Sequence, residues 1–155
     1  MTDDLVTLPY VARLTVAFLI AQPEVFDLVG NAVYTDVPSE PTFPLVRVVQ
    51  LPGRIISSGS IYWLEETIIQ VDTWGPGGND RLAAHTLAET CRAVMAQRFT
   101  GPQDFMLGST TVSAVVTGLD CGGIADSSDT AYQPARPHSR FDAVIAAHPL
   151  EPAGS

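Results

Sequence analysis

The sequence predicts an α+β domain: a mostly antiparallel sheet with two amphipathic helices packed on it. Three observations predict it. Two segments repeat apolar residues at helical spacing, one near the N-terminus and one in the middle of the chain. Four other segments are rich in β-branched residues or alternate like strands. The connections between them are tight or irregular, which suits antiparallel neighbours better than long crossovers. The expected order is α-β-β-α-β-β, with a short extended piece after the first helix. A single domain is expected over residues 1–148, followed by a loose tail at 149–155.

The first helix is expected from about Pro9 to Gln22. Pro9 suits a first turn, where its missing N–H costs nothing. Val11, Leu14, Ala17, Phe18 and Ala21 then form one apolar face, and Pro23 ends the run. Asp27 to Asp36 reads as a turn at Gly30-Asn31 with a short extended piece. Val37 to Pro44 holds Pro38, Pro41 and Pro44 and is expected to be an irregular loop. Leu45 to Leu51 is strand-like, stopped by Pro52-Gly53, and a Gly/Ser-rich loop runs to Ser60. Ile61 to Trp74 is the longest strand candidate, with Ile69 and Val71 on one face and Glu66, Gln70 and Asp72 largely on the other.

Gly75-Pro-Gly-Gly makes a turn, and Asn79 or Asp80 can cap the second helix. That helix carries Leu82, Ala83, Thr86, Leu87, Thr90, Cys91, Val94 and Met95 as one stripe, and Gly101-Pro102 terminates it. Two closing strands are expected at about Thr111 to Cys121 and Arg140 to His148. Between them Gly122 to Pro137 reads as a polar loop.

Charge and composition exclude more than they name. The chain of 155 residues is 46% hydrophobic, too apolar for disorder. It carries 17 Asp+Glu against 8 Lys+Arg, a net charge of -9, and all of its basic residues are Arg. Without a basic cluster it lacks the counterion-release term behind most nucleic-acid binding, and anionic membranes do not attract it. The acidic N-terminus lacks the positive region of a signal peptide, and Val11 to Ala21 is too short to span a bilayer. A soluble protein of a reducing, cytosol-like compartment is expected.

Motifs for chemistry are sparse. Gly75 to Asp80 lacks the Lys and Ser/Thr of a phosphate loop. Cys91 falls on the helical stripe, and Cys121 lies near Asp120, Asp126 and Asp129, which would blunt a thiolate. His85, His138 and His148 have no metal-ligand spacing, and Glu65 and Glu66 point to opposite faces of a strand. No catalytic residue, cofactor or metal site is expected. A small cytosolic enzyme or ligand-binding domain would need a polar pocket between sheet and helices, formed by His138 or His148 with Asp120 or Asp142. The conspicuous surfaces are the two irregular loops and the aromatic pair Tyr62 and Trp63 beside two acids, all candidates for assembly contacts.

Four segments carry a resemblance. After the first helix, Val29-Gly-Asn-Ala-Val-Tyr-Thr-Asp-Val-Pro is similar to a "V-G-x-R-V-Y-x-x-x-P" stretch. Phe43-Pro-Leu-Val-Arg-Val is similar to a "P-x-P-Y-V-V" strand, and Ile68-Ile-Gln-Val-Asp-Thr-Trp-Gly to a "V-Q-I-D-V-W" strand. A helix starting near Asp80 and running through Leu82-Ala-Ala-His-Thr-Leu-Ala-Glu follows. In this order, over roughly residues 5 to 99, the chain resembles the tail terminator (tail-completion) proteins of long-tailed bacteriophages. It departs from that pattern at Asn31, where a basic residue is usual, and in its extra C-terminal residues.

The resemblance implies a virion protein of the head-proximal end of the tail, assembled in the host cytoplasm. It implies a homo-oligomeric, hexameric ring that caps the tail tube, stops its polymerisation and joins the neck. Its partners would be the tail-tube protein and a neck or connector protein, with genome DNA passing through the lumen and no sequence-specific contact to it. Asp36, Glu40, Asp126 and Asp129 are the candidates for a DNA-repelling lumen. Arg47, Arg54, Tyr62, Trp63, Glu65 and Glu66 are the candidates for subunit or tail-tube contacts. A head–tail connector or stopper is the alternative within the same structural class.

Overall fold

The computed structural model describes residues 7–56, 64–77, 80–132 and 134–150. It is an α+β fold with three helices and one mixed seven-stranded sheet. The helices are α1 (Val11–Ile20), α2 (Pro23–Val29) and α3 (Arg81–Arg98). The strands are β1 (Val33–Tyr34), β2 (Leu45–Ile56), β3 (Leu64–Trp74), β4 (Gly101–Leu107), β5 (Thr110–Cys121), β6 (Ala125–Asp129) and β7 (Arg136–His148). Their order is β1-β2-β3-β7-β5-β4, with β6 also paired to β7. All pairs are antiparallel except β1 with β2, which is parallel.

The expected two-helix order is corrected at its start. Pro23 does not simply end the first helix; it stands at the first position of α2, where its fixed φ suits a helix. Pro9 lies outside α1, ahead of the N-cap Tyr10. The residues from Asp27 to Val29 are therefore helical, and the turn begins at Gly30, whose φ of 59 closes α2 in a conformation that side chains disfavour. Helix α1 is buried nearly all round, at Val11, Ala12, Leu14, Thr15, Val16, Ala17, Phe18 and Leu19. An apolar circumference is what a helix enclosed by the sheet and two other helices requires.

The strand boundaries shift too. Pro52-Gly53 does not stop β2, which runs on to Ile56 through an irregularity between Leu51 and Arg54. A bulge absorbs a proline and a glycine without ending a ladder. Gly101-Pro102 ends α3 as expected but also starts β4, a strand absent from the expected order. The expected polar loop Gly122 to Pro137 contains β6 and the start of β7. Strand β5 stays paired with β7 as far as Cys121↔Ala143, and β6 resumes at Ala125↔Arg140. Between these pairs residues 122–124 face residues 141 and 142, one residue more than the partner has. So β5 and β6 form one long line beside β7, interrupted by a bulge. The Asp and Ser residues of β6 hid it, because the strand is almost wholly exposed and has no apolar face to alternate.

Strand β7 pairs with β3 from Trp74↔His138 to Glu65↔Ala147, which makes these two strands the spine of the sheet. One face of the spine is apolar: Ile69, Val71, Phe141, Ala143, Ile145 and Ala147 are buried against α1 and α3. Asp80 caps α3 by accepting from Ala83 N at 2.9 Å. The buried stripe of α3 is Ala84, Leu87, Ala88, Cys91, Val94 and Met95, so it starts later than the spacing suggested and leaves Leu82 75% exposed. Gly75 lets the strand-to-helix turn close: a Cβ there would meet Asp80 O at 3.0 Å and Ala84 N at 3.1 Å. Thr73 Oγ1 then donates to Ala84 O at 2.8 Å, fastening β3 to the first turn of α3.

Candidate functional site

The opposite face of the sheet carries a polar cluster where β2, β3, β7 and β6 lie side by side. Its register places Arg47 opposite Asp72, Trp74 opposite His138, and His138 opposite Ser127. Side chains of directly opposed residues share a face, so alternation alone brings these groups together. Asp72 is completely buried. Its Oδ2 accepts from Arg47 Nε at 3.2 Å and Nη2 at 3.0 Å. Its Oδ1 accepts from His138 Nε2 at 2.8 Å, and Gln70 Nε2 lies 3.1 Å from both oxygens.

Burial pushes the Asp72 carboxyl up, but the hydrogen bonds from His138, Gln70 and Arg47 together outweigh it and hold it below the usual carboxylate range. An ionised carboxylate only accepts, so His138 Nε2 carries the proton. Its Nδ1 lies 3.3 Å from Ser127 Oγ. The imidazole is stacked on Trp74, with centroids 4.7 Å apart and planes 16° apart. Trp74 Nε1 in turn donates to Asp129 Oδ2 at 3.1 Å, and Arg47 lies over the indole at 5.3 Å.

Serine, histidine and aspartate are thus lined up, an order that also activates nucleophiles. The surroundings are those of a clamp. Arg47 already neutralises the carboxylate that would support an imidazolium. Ser127 sits within an exposed strand on the face opposite α1 and α3, so no helix N-terminus is aimed at it. What the cluster does is tie four strands together through one buried charge.

A second His–Asp contact lies on the helix side of the sheet, between α3 and β6. His85 Nδ1 of α3 meets Asp126 Oδ1 at 3.0 Å, and Ser139 Oγ donates to the same oxygen at 2.6 Å. The hydrogen bonds from Ser139 and His85 hold Asp126 below its ordinary range. Its side chain is 46% exposed. Elsewhere a shallow apolar groove of about 350 Å³ lies between α2 and α3, lined by Leu28, Pro44, Pro76, Leu82, Ala83 and Leu87 among others. It contains neither His138 nor His148.

Comparisons with known proteins give little to add to this geometry. No family model matches the sequence, and no curated protein matches it. A chain in the solved structure of the virion of a native gene transfer agent (GTA) particle is similar, with 20% sequence identity and a TM-score of 0.47. That likeness covers 87% of this chain and 90% of the other. A similarity of that size carries no argument about role.

The residues singled out from the sequence fall in different places. Asp36 and Glu40 are exposed in the loop between β1 and β2 and make no ion pair or side-chain hydrogen bond among the described residues. Asp126 and Asp129 lie on β6, each already accepting hydrogen bonds from within the chain: Asp129 takes Trp74 Nε1 and Ala131 N. Arg47 is held by Asp72. Arg54 stands directly opposite Glu66 in the β2–β3 register, and Glu65 opposite Ile55. Tyr62 and Trp63 lie outside the described residues, as do Asn79 and tail residues 151–155.

His138 does not meet Asp120 or Asp142, and His148 Nδ1 lies beside Pro149 O at 2.9 Å. Cys91 is buried and its thiol is pushed up to about 12 by desolvation. Cys121 is also raised, by burial first and by Asp120 least, with Arg92 opposing. Asp72 is the residue that sequence reasoning underrated. Its signal was an acid set between β-branched residues and one turn of alternation from Trp74, a position that a sheet interior does not leave unpaired.

Proposed function

We propose that this protein is a non-enzymatic virion component, a tail terminator that forms a ring on the head-proximal end of a tail tube. One observation carries the reading: the four segments that resemble the tail terminator family assemble into a single block. Val33 and Tyr34 of the first segment pair in parallel with Val46 and Arg47 of the second. The second pairs with the third from Leu45↔Trp74 to Val48↔Val71. The third is joined by Gly75 to the helix of the fourth, and bonded to it through Thr73. Weak motifs scattered over a fold would be coincidence; motifs that meet across adjacent strands describe one unit.

The sheet supplies what a ring needs. A closed head-to-tail assembly requires two different patches on each subunit. Here β4 is one edge of the sheet and the two-residue β1 the other, and unpaired edge groups template a neighbour's strand. Asp36 and Glu40 are the acids best placed to repel DNA phosphates in a lumen, because no partner within the described residues neutralises them. Asp126 and Asp129 serve there less well.

Electron microscopy of the purified full chain, alone and mixed with tail tubes, tests the reading. Six-fold rings and capped tubes of fixed length are expected. A monomer that leaves tubes uncapped at assembly concentrations would overturn it, and rings that bind the portal side in place of the tube would favour a connector. Within assembled particles, Asp36→Arg with Glu40→Arg should slow DNA ejection while tails still attach. Failure of that variant to form rings would remove these two acids from the lumen.

A further inference from the structure

Among the described residues, Tyr10, Phe26, Leu28, Leu82 and Met106 are the large apolar side chains that stand exposed. Leu28 and Leu82 line the shallow groove between α2 and α3, and Phe26 lies on α2 near them. Tyr10 sits in a hollow of its own with Arg13 and Tyr34. Met106 belongs to neither place: it is 65% exposed in β4, just ahead of the hairpin turn at Gly108. Its neighbours Phe105 and Leu107 pack on the core, so alternation turns Met106 to the helix-free face. Thr111 Oγ1, directly opposite, donates to Met106 Sδ at 2.9 Å and steadies the side chain there.

The groove and this methionine are complementary. Asp80 is occupied in capping α3, so the groove has little left to orient a small polar molecule. Its apolar walls suit a flexible, unbranched side chain. The two cannot meet within one chain. Met106 lies beyond the pair Val115↔His148 at the C-terminal end of β7, on the helix-free face. The groove lies past Trp74↔His138 near the other end, on the helix side, roughly 30 Å of strand away.

We propose that Met106 of one copy of this chain seats between Leu28 and Leu82 of the next. Two sites that face away from each other cannot both be filled by one neighbour. Each copy therefore takes two neighbours, the condition for a head-to-tail ring. Copies of net charge -9 repel one another, so the contact has to rest on apolar burial. The charges beside it are matched nonetheless. Asp104, on the same face of β4 as Met106, accepts from Ser113 Oγ at 3.0 Å and joins no ion pair among the described residues. Arg81, next to Leu82, joins none there either and reaches only Ser128 Oγ at 3.4 Å. An acid thus accompanies the methionine, and an arginine stands beside the groove. The inference rests on the ring-forming reading above and adds a side-chain contact to the sheet edges named there.

The test is disulfide cross-linking of the full-length chain carrying Met106→Cys with Leu82→Cys, or Met106→Cys with Leu28→Cys, both over Cys121→Ser. Oxidation with copper phenanthroline should give a ladder that rises beyond the dimer on a non-reducing gel, while each added cysteine alone leaves monomer. No ladder from either pair overturns the proposal, and so do equally strong dimers from Met106→Cys alone. Without added cysteines, Met106→Asp should weaken self-association about tenfold or more in sedimentation velocity at an unchanged melting temperature. Unchanged association overturns the proposal as well. Arg81→Asp should also weaken association, and Asp104→Arg added to it should restore it. Rings of the unsubstituted chain without any ladder would remove this contact and keep the ring. Ladders from a chain that leaves tail tubes uncapped would keep the contact and remove the terminator reading.

Discussion

Two carboxylates of this chain accept from a histidine, one on each face of the sheet, and they behave differently. Asp72 on the helix-free face is wholly buried and bonded to His138, Arg47 and Gln70. Asp126 under α3 is half exposed and bonded to His85 and Ser139. Both are held below the ordinary carboxylate range. At Asp126, water stands ready to replace any partner that is lost. At Asp72 it does not, so each partner there compensates a desolvation cost that would otherwise be unmet. Two contacts of nearly equal length therefore differ in weight because of what surrounds them.

The sharpest way to break this contrast is Asp72→Ala. It removes the shared acceptor of three side chains, one on its own strand and one on each neighbouring strand, and should cost about 3 kcal/mol in urea denaturation. A loss no larger than that of a surface substitution would show that Arg47 and Gln70 find water easily. Next comes His138→Ala, which strips one partner from the buried charge and uncovers Trp74. About 2 kcal/mol is expected by the same assay, with a change in Trp fluorescence.

The acid limb of stability reports on both sites. A lowered folded pKa means that ionisation favours the native state. That contribution is complete above about pH 4, the unfolded value, and disappears as pH falls through the lower folded one. Asp72→Asn and Asp126→Asn should therefore each flatten the fall in melting temperature below about pH 4. An acid limb unchanged by either substitution would mean that the carboxylate replaced gains nothing from its partners on folding. The smallest effect belongs to Asp126→Ala, expected below about 1 kcal/mol and reduced further in high salt, as for exposed pairs generally. A salt-independent loss of the size predicted for Asp72 would erase the distinction.

Much of the scaffold was legible in the sequence because it follows local rules. The stripe of α3, the cap at Asp80, the β-branched runs of β2 and β3, and the closing strands all carry their signal within a dozen residues. Two errors share a cause. Pro23 reads as a stop in the sequence because a proline ends one helix and starts another with equal ease, and the spatial arrangement decides which. Strand β6 reads as a loop in the sequence because exposed Asp and Ser residues give no alternation; its pairing to β7 makes it a strand.

The candidate sites were less legible than the scaffold, again for a physical reason. His138, Asp72, Arg47 and Ser127 are far apart in the chain and meet only through register, which no single segment encodes. The same holds for Leu28, Pro44 and Leu82, which line one groove from separate segments. What the sequence by itself determined is the α+β class, the apolar faces, the acidic surface and the order of four family-like segments, since these depend on near neighbours. Only the tertiary structure decided which acid is buried and which is free, which arginine is paired and which is left open. Those outcomes depend on which strands lie side by side, and on the water that pairing removes.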